Sequence, residues 1–335
     1  MPRYGDLHIQ DLTSAINKMP PVWTLVSSLG LFSKEFGETE FVTVDVITEK
    51  VGLIKDKRRG GPRNYTDAED AIVKRLEIPF FPLDGGIRPS DLQNLRKYGT
   101  ANDTVKLNEV RERVMRRIRA NHAATSEKAM MEAIKGLAYA PDGTTTAYNY
   151  YTVFGQTQKT VNFDLAGSGD PIAKAEEARL HIAEEAQDGG SSYEITALCS
   201  KGFFSKLLQN ADFREAYTYF ESQNNPLRDR TGRGGANSVY REFVHGNVRY
   251  IEYPFKDADG VDFIPTDEAF MMPVGIEDMF RQHFAPSDTV EGANVTAQEI
   301  YMWEMTDRRK VEIESESSFL CVNYRPELVV KCTAA

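Results

Sequence analysis

The segment from residue 37 to residue 82 is the hardest part of this chain to fit into a compact, self-sufficient domain. Phe41-Val-Thr-Val-Asp-Val-Ile47 alternates apolar and polar side chains as a half-buried strand does, and Val51 to Ile54 resumes that character. Ala71 to Phe80 returns as a second extended run, closed by Ile78-Pro-Phe-Phe-Pro82. Between them lies Asp56 to Asp70, DKRRGGPRNYTDAED, which is too long and too polar for a hairpin turn. Three arginines, a lysine, two adjacent glycines and a proline crowd its first half, so it can neither pack a core nor hold one shape unaided. A lone two-stranded ribbon is marginal in water, so one this long needs a surface to lie on.

The rest of the chain supplies a body. From Asp103 to Leu137 there is one helical pattern: Leu107, Val110, Val114 and Ile118 fall at steps of three and four, and Met130, Ile134 and Leu137 continue the stripe. Asp103 or Thr104 would cap its start, with Gly136 and Pro141 near its end. That is far longer than the usual ~10–14 residues. Asp142-Gly143 marks a turn, and Tyr148–Phe154 with Thr160–Leu165 reads as a hairpin around Gly155-Gln156.

Gly167-Ser-Gly-Asp-Pro171 is the clearest boundary. Beyond it a helix (Ile172–Ala186), a strand (Tyr193–Cys199) and helices at Lys201–Leu208 and Asp212–Phe220 have the spacing of a compact α+β unit. Further strands are expected at Ser238–Phe243, Val248–Tyr253, Phe270–Val274, Lys310–Ile313 and Ser318–Val330. At the other end, Leu12, Ile16 and Met19 make a short amphipathic pattern that Pro20-Pro21 breaks. The apolar anchors after it, Trp23, Leu25, Val26, Leu29, Leu31 and Phe32, are too few to fold alone. Residues 1–36 therefore read as an arm that docks on something.

Patterns that would carry chemistry do not form. His8, His122, His181, His245 and His283 are scattered, with no HExxH spacing for a metal. Gly167-Ser-Gly169 is not the GxSxG elbow, and Thr231-Gly-Arg-Gly-Gly235 precedes a strand where phosphate binding needs a helix N-terminus. Asp257-Ala-Asp-Gly-Val-Asp262 places glycine fourth where a calcium loop needs it sixth, so a hairpin turn is expected. Arg111, Arg113, Arg116, Arg117 and Arg119 spread around much of the helix circumference without interleaved aromatics, which favours a solvated or subunit-facing surface over a nucleic-acid stripe.

Composition narrows the class. With 335 residues, 41% hydrophobic and 27% charged, the chain has a core to build and room for two ordinary domains or one with large excursions. A net charge of −10 argues against a protein whose main task is gripping phosphate backbones. Cys199, Cys321 and Cys332 are odd in number and in no metal-ligand spacing, so free thiols in a reducing compartment are expected. The opening segment lacks an apolar signal core and no window has the length of a membrane span, so a cytoplasmic protein without membrane contact is expected.

The order of parts, an arm, a long β excursion, a long helix, a compact insert and a closing strand, resembles the lambda-like capsid protein E family of tailed-bacteriophage major capsid proteins. The resemblance rests on Leu29-Gly-Leu-Phe32, Arg59-Gly-Gly61, Lys201-Gly-Phe-Phe204, Phe263-Ile-Pro265 and Tyr324-Arg-Pro-Glu-Leu-Val-Val-Lys331, taken in order. It implies an α+β Hong Kong 97-type fold: N-terminal arm 1–36, extended β loop 37–82, peripheral domain with spine helix 83–166, axial domain 167–303, and return to the peripheral domain 304–335. It implies a head protein that self-assembles into the hexamers and pentamers of an icosahedral shell around double-stranded DNA, which it encloses without sequence-specific binding. No cofactor, metal or catalytic residue is implied. Contacts between subunits would fall on Lys57, Arg58, Arg59, Gly60, Gly61, Arg63 and Tyr65 in the loop, Trp23, Leu29 and Phe32 in the arm, and Arg113, Arg116 and Arg117 on the spine helix. Portal and scaffolding proteins would be partners, a decoration protein could join them, and the virion would be assembled in the host cytoplasm. Two rivals remain: an encapsulin-like nanocompartment shell of the same fold, and an enzyme built on residues 167–303.

Overall fold

The computed structural model of the chain describes residues 8–19, 24–47, 71–93, 107–139, 146–165, 170–186, 193–211, 213–215, 218, 241–257, 260–307 and 309–334. Its elements begin with β1 (His8–Asp11), α1 (Thr13–Lys18), α2 (Leu25–Leu29), β2 (Ser33–Phe36), β3 (Phe41–Ile47), β4 (Ala71–Glu77), β5 (Phe80–Pro82), β6 (Gly85–Ile87) and α3 (Ser90–Gln93). There follow α4 (Leu107–Ile134), β7 (Leu137–Tyr139), β8 (Thr146–Asn149), α5 (Tyr150–Phe154), β9 (Thr160–Asn162), α6 (Pro171–Ala186), β10 (Glu194–Cys199) and α7 (Lys201–Leu207). The last are β11 (Glu242–His245), β12 (Val248–Glu252), β13 (Glu268–Val274), β14 (Phe280–Phe284), β15 (Tyr301–Asp307), β16 (Lys310–Asn323) and β17 (Val330–Thr333).

Two sheets organise these elements. The seven-stranded sheet runs β1-β15-β16-β14-β2, with β5 and β6 also paired to the long strand β16. The six-stranded sheet runs β11-β12-β10-β13-β17-β9, in which β10 and β12 are parallel, as are β17 and β9. The first half of α4 covers the seven-stranded sheet: Val110, Met115 and Ile118 are buried with Ile87, Met302, Val311 and Ile313. Its second half, through Met130, Met131 and Ile134, enters a larger core that holds Phe284 and Phe319 from one sheet and Leu198, Phe270 and Met272 from the other. A separate aromatic core, with Phe163, Phe203, Phe204, Phe213, Phe243 and Tyr250, sits around the six-stranded sheet.

Several expectations hold and several are corrected. The ribbon strands lie where alternation put them, paired from Phe41↔Glu77 to Ile47↔Ala71. The long helix is α4, and it stops at Ile134 because Gly136 adopts φ +83°, where a Cβ would also meet the Tyr151 ring at 2.2 Å. Its expected caps, Asp103 and Thr104, lie outside the described residues, as do Val51–Ile54 and most of the Asp212–Phe220 helix.

The hairpin read at Tyr148–Phe154 and Thr160–Leu165 does not form. Thr146–Asn149 pairs instead with Leu137–Tyr139. Tyr150–Phe154 is a helix, because the Asn149 side chain accepts from the Tyr151 and Thr152 amides and Gly155 closes it at φ +68°. These caps override the strand preference of its aromatic and β-branched residues. Thr160–Asn162 joins the six-stranded sheet beside the last strand. The two strand runs expected at Lys310–Ile313 and Ser318–Val330 are one strand, Lys310–Asn323, followed by a 3-10 turn at Pro326–Leu328 and then β17. Its polar middle gives no apolar alternation, yet Ser315, Glu316 and Ser317 are buried by strand pairing.

Sheet membership therefore divides the chain elsewhere than at 167 and 303. Residues 160–162 and 330–333 belong with the insert's sheet, and 280–284 with the other. The polar turn at 257–262 is as expected, closed by the Asp257 amide on the Val261 carbonyl at 2.9 Å.

Candidate intersubunit surfaces

The ribbon is fixed at its root and open on its far face. Val44 and Leu76 are buried, each 2% exposed, whereas Val73 on the other face is 64% exposed, the alternation a half-covered ribbon requires. Lys74 Nζ donates to the Val153 carbonyl, and the Glu77 amide donates to the Tyr148 hydroxyl at 2.9 Å. On the outer side the Arg75 guanidinium lies 3.5 Å above the Phe41 ring. Lys57, Arg58, Arg59, Gly60, Gly61, Arg63 and Tyr65 lie outside the described residues.

The arm docks on the chain's own body. Leu12 and Ile16 are buried beneath α4, and Leu25 and Val26 enter the main core. Leu29 and Phe32, expected as anchors for a neighbour, are half-buried against that same core, with the Phe32 ring 5.0 Å from Phe280. Any contact they make with another subunit is confined to what this leaves exposed. Trp23 is outside the described residues.

Glu127, in the second half of α4 and 1% exposed, holds the arm in place. Its carboxylate accepts from the Val26 and Ser27 amides at 2.9 and 3.2 Å, from the Thr24 hydroxyl, and from the Tyr253 hydroxyl at 2.9 Å. It thereby satisfies the free amides at the start of α2, whose own cap residue Thr24 makes no side-chain cap bond. One carboxylate thus joins arm, long helix and the segment that follows the six-stranded sheet's β12. A second tie lies at β2, where Glu35 meets Arg281 at 2.6 Å and His283 Nδ1 at 3.1 Å, and His283 Nε2 lies 2.8 Å from the Tyr324 hydroxyl. Burial lowers the His283 pKa, with Glu35 opposing that shift.

The helix arginines sort by face. Arg111 turns inward to Glu304 at 2.6 Å, and Arg119 donates to the Ile16 carbonyl. Arg113, Arg116 and Arg117 are exposed, and so are Ala120, Asn121 and Ala124 further along. At 100° per residue these form one stripe. Among the described residues only Arg116 of the three has an ion partner, Glu112 at 3.2 Å, both well exposed. The five arginines do spread around the helix as expected: two are internal ties and three make a solvent face.

Among the described residues no group of three potential metal ligands converges, and no helix is long and apolar enough to cross a membrane. Burial pushes the Cys199, Cys321 and Cys332 thiols upward, away from the reactive thiolate.

The same architecture occurs in solved capsids. A prophage chain of Escherichia coli CFT073 described as a capsid protein aligns with TM-score 0.52 and 13% identity, over 79% of this chain and 80% of that one. The capsid asymmetric unit of cyanophage Pam1 aligns with TM-score 0.51 and 12% identity, over 89% and 86%. The fold is thus that of the Hong Kong 97-type capsid proteins. The major capsid protein of Pseudomonas phage KPP10 is 37% identical over 338 residues, covering 97% of this chain and 96% of its own length. That of Salmonella phage Felix O1 is 29% identical over 358 residues, with the same coverage. Residues 8–334 match the family described as phage major capsid protein E, and the chain belongs to that family, whose members are structural proteins of the virion and not enzymes.

Proposed function

We propose that this chain assembles with copies of itself into hexamers and pentamers, and these into an icosahedral shell around a double-stranded DNA genome. The ribbon carries the reading: one face of its root is covered at home, the other is open, and the sequence between its two strands holds the arginine-rich segment 56–63. A neighbour's acidic surface would order and pair with Lys57, Arg58, Arg59 and Arg63, while Gly60, Gly61 and Tyr65 shape the contact. Head-to-tail contacts of this kind close into rings and, with small changes of angle, into shells. Many modest interfaces acting together hold such a particle.

In this reading the part of residues 37–82 beyond the home-packed root lies over the adjacent subunit, and residues 167–303 supply most of the axial domain. The net charge of −10 suits a wall along which packaged DNA slides. Portal and scaffolding proteins complete the assembly, a decoration protein has the outer face available, and the shell forms in the host cytoplasm. A genome is favoured over the cargo of a nanocompartment because the relatives at 37% and 29% identity are phage major capsid proteins.

The test is size. The purified full chain, examined by negative-stain microscopy, is expected to give rings or shells. A compact monomer at high concentration overturns the reading.

A further inference from the structure

The loop between β14 and β15 is ordered, yet it displays an apolar side chain to water. Val290 is 97% exposed and Val295 52%. The loop is firmly built: the Asp288 amide donates to Glu316 Oε1 at 3.0 Å, the Gly292 amide to the Thr289 carbonyl at 3.0 Å, and the Ala297 amide to the Gly37 carbonyl at 2.9 Å. At Gly292 an added Cβ would stand 2.0 Å from Ser287 Oγ, so any side chain there must displace Ser287. A scaffold that fixes a valine in solvent gains nothing from it within the chain. It does preorganise a contact, so little entropy is lost on docking.

From residue 285 to 297 the loop is APSDTVEGANVTA, with two carboxylates, Asp288 and Glu291, and no cation. Its complement is the outer stripe of α4, where Arg113, Arg116 and Arg117 outnumber the two carboxylates, Glu109 and Glu112. The same stripe continues into Ala120 and Ala124, whose small side chains leave a shallow apolar seat beside the arginines.

We propose that the Val290 loop of one subunit docks on the outer face of α4 of a second copy, with Val290 on Ala120 and Ala124 and with Asp288 and Glu291 against Arg116 and Arg117. The inference rests on the shell reading and names a subunit contact distinct from the ribbon and the arm. Loop and helix face are different surfaces of one molecule, so the contact is head-to-tail and can repeat around a ring or across a shell. Its charged part sets orientation and its valine supplies the buried area.

The test is a charge-reversal cycle on the full chain, read as the critical concentration for shell formation by light scattering. Glu291→Arg and Arg116→Glu are each expected to raise that concentration about tenfold, and the double reversal to restore it. Val290→Ser is expected to raise it by a similar factor while the melting temperature of the unassembled chain stays unchanged. Val290→Cys combined with Ala124→Cys should form a disulfide between subunits in shells and not in unassembled chain. If the wild type assembles and the reversals assemble equally well, the contact is absent and the arginines are left free for another partner, such as the phosphates of the genome. A double reversal that fails to rescue also overturns the proposal. A wild type that does not assemble refutes the shell reading itself.

Discussion

Glu127 shows how much of this subunit hangs on a single side chain. A carboxylate that is 1% exposed survives only because four donors surround it, two of them amides that α2 would otherwise leave open. Glu127→Gln keeps the volume but turns an NH2 group toward donors, so it is expected to cost about 2–3 kcal/mol in urea unfolding. It should also speed proteolysis within the arm. Glu112→Gln, at an exposed ion pair on the same helix, should change stability by less than about 1 kcal/mol. Helical periodicity places residue 127 on the helix, but no pattern tells a buried carboxylate from a solvated one when its donors come from residues 24–27 and 253.

His122, five residues earlier, is a buried base. The Ser315 hydroxyl donates to the Leu83 carbonyl, which leaves the imidazole Nε2–H to donate to Ser315 Oγ at 3.2 Å. Burial lowers its pKa from 6.5 to about 4. The folded chain therefore keeps His122 neutral while the unfolded chain takes up a proton between pH 6.5 and 4. Its contribution is fully present above pH 6.5 and is lost as the pH falls through that window, by about 3 kcal/mol in all. Urea unfolding of the unassembled chain at pH 7 and pH 4.5 should show this loss, and His122→Gln should lack it.

At the level of elements, the ribbon has two parts with separate duties. Its root belongs to the subunit through Val44 and Leu76, while residues 48–70 join the two paired strands in sequence. Replacing 48–70 with a short Gly-Ser turn is expected to change unfolding by about 1 kcal/mol or less, since loop closure depends weakly on length. Negative-stain images of that variant should show no complete shells. This element was legible because period-two alternation is local. The hairpin misread at 148–165 shows the opposite case: an aromatic, β-branched run was helical because Asn149 and Gly155 capped it. The strand Phe280–Phe284 went unseen because its polar members, Gln282 and His283, are buried by partners distant in the chain.

For the molecule as a whole, the succession of arm, ribbon, long helix, insert and closing strand was readable, and with it the family. Which strands share a sheet was not. Thr160–Asn162 pairs with Lys331–Thr333 across about half the chain, and no local periodicity encodes a partner so remote. That pairing places β17 in the interior of the six-stranded sheet, between β13 and β9. A ribosome must therefore translate beyond residue 333 before the sheet can close. Prematurely terminated products would lack an internal strand and could not present the finished geometry that a growing lattice accepts.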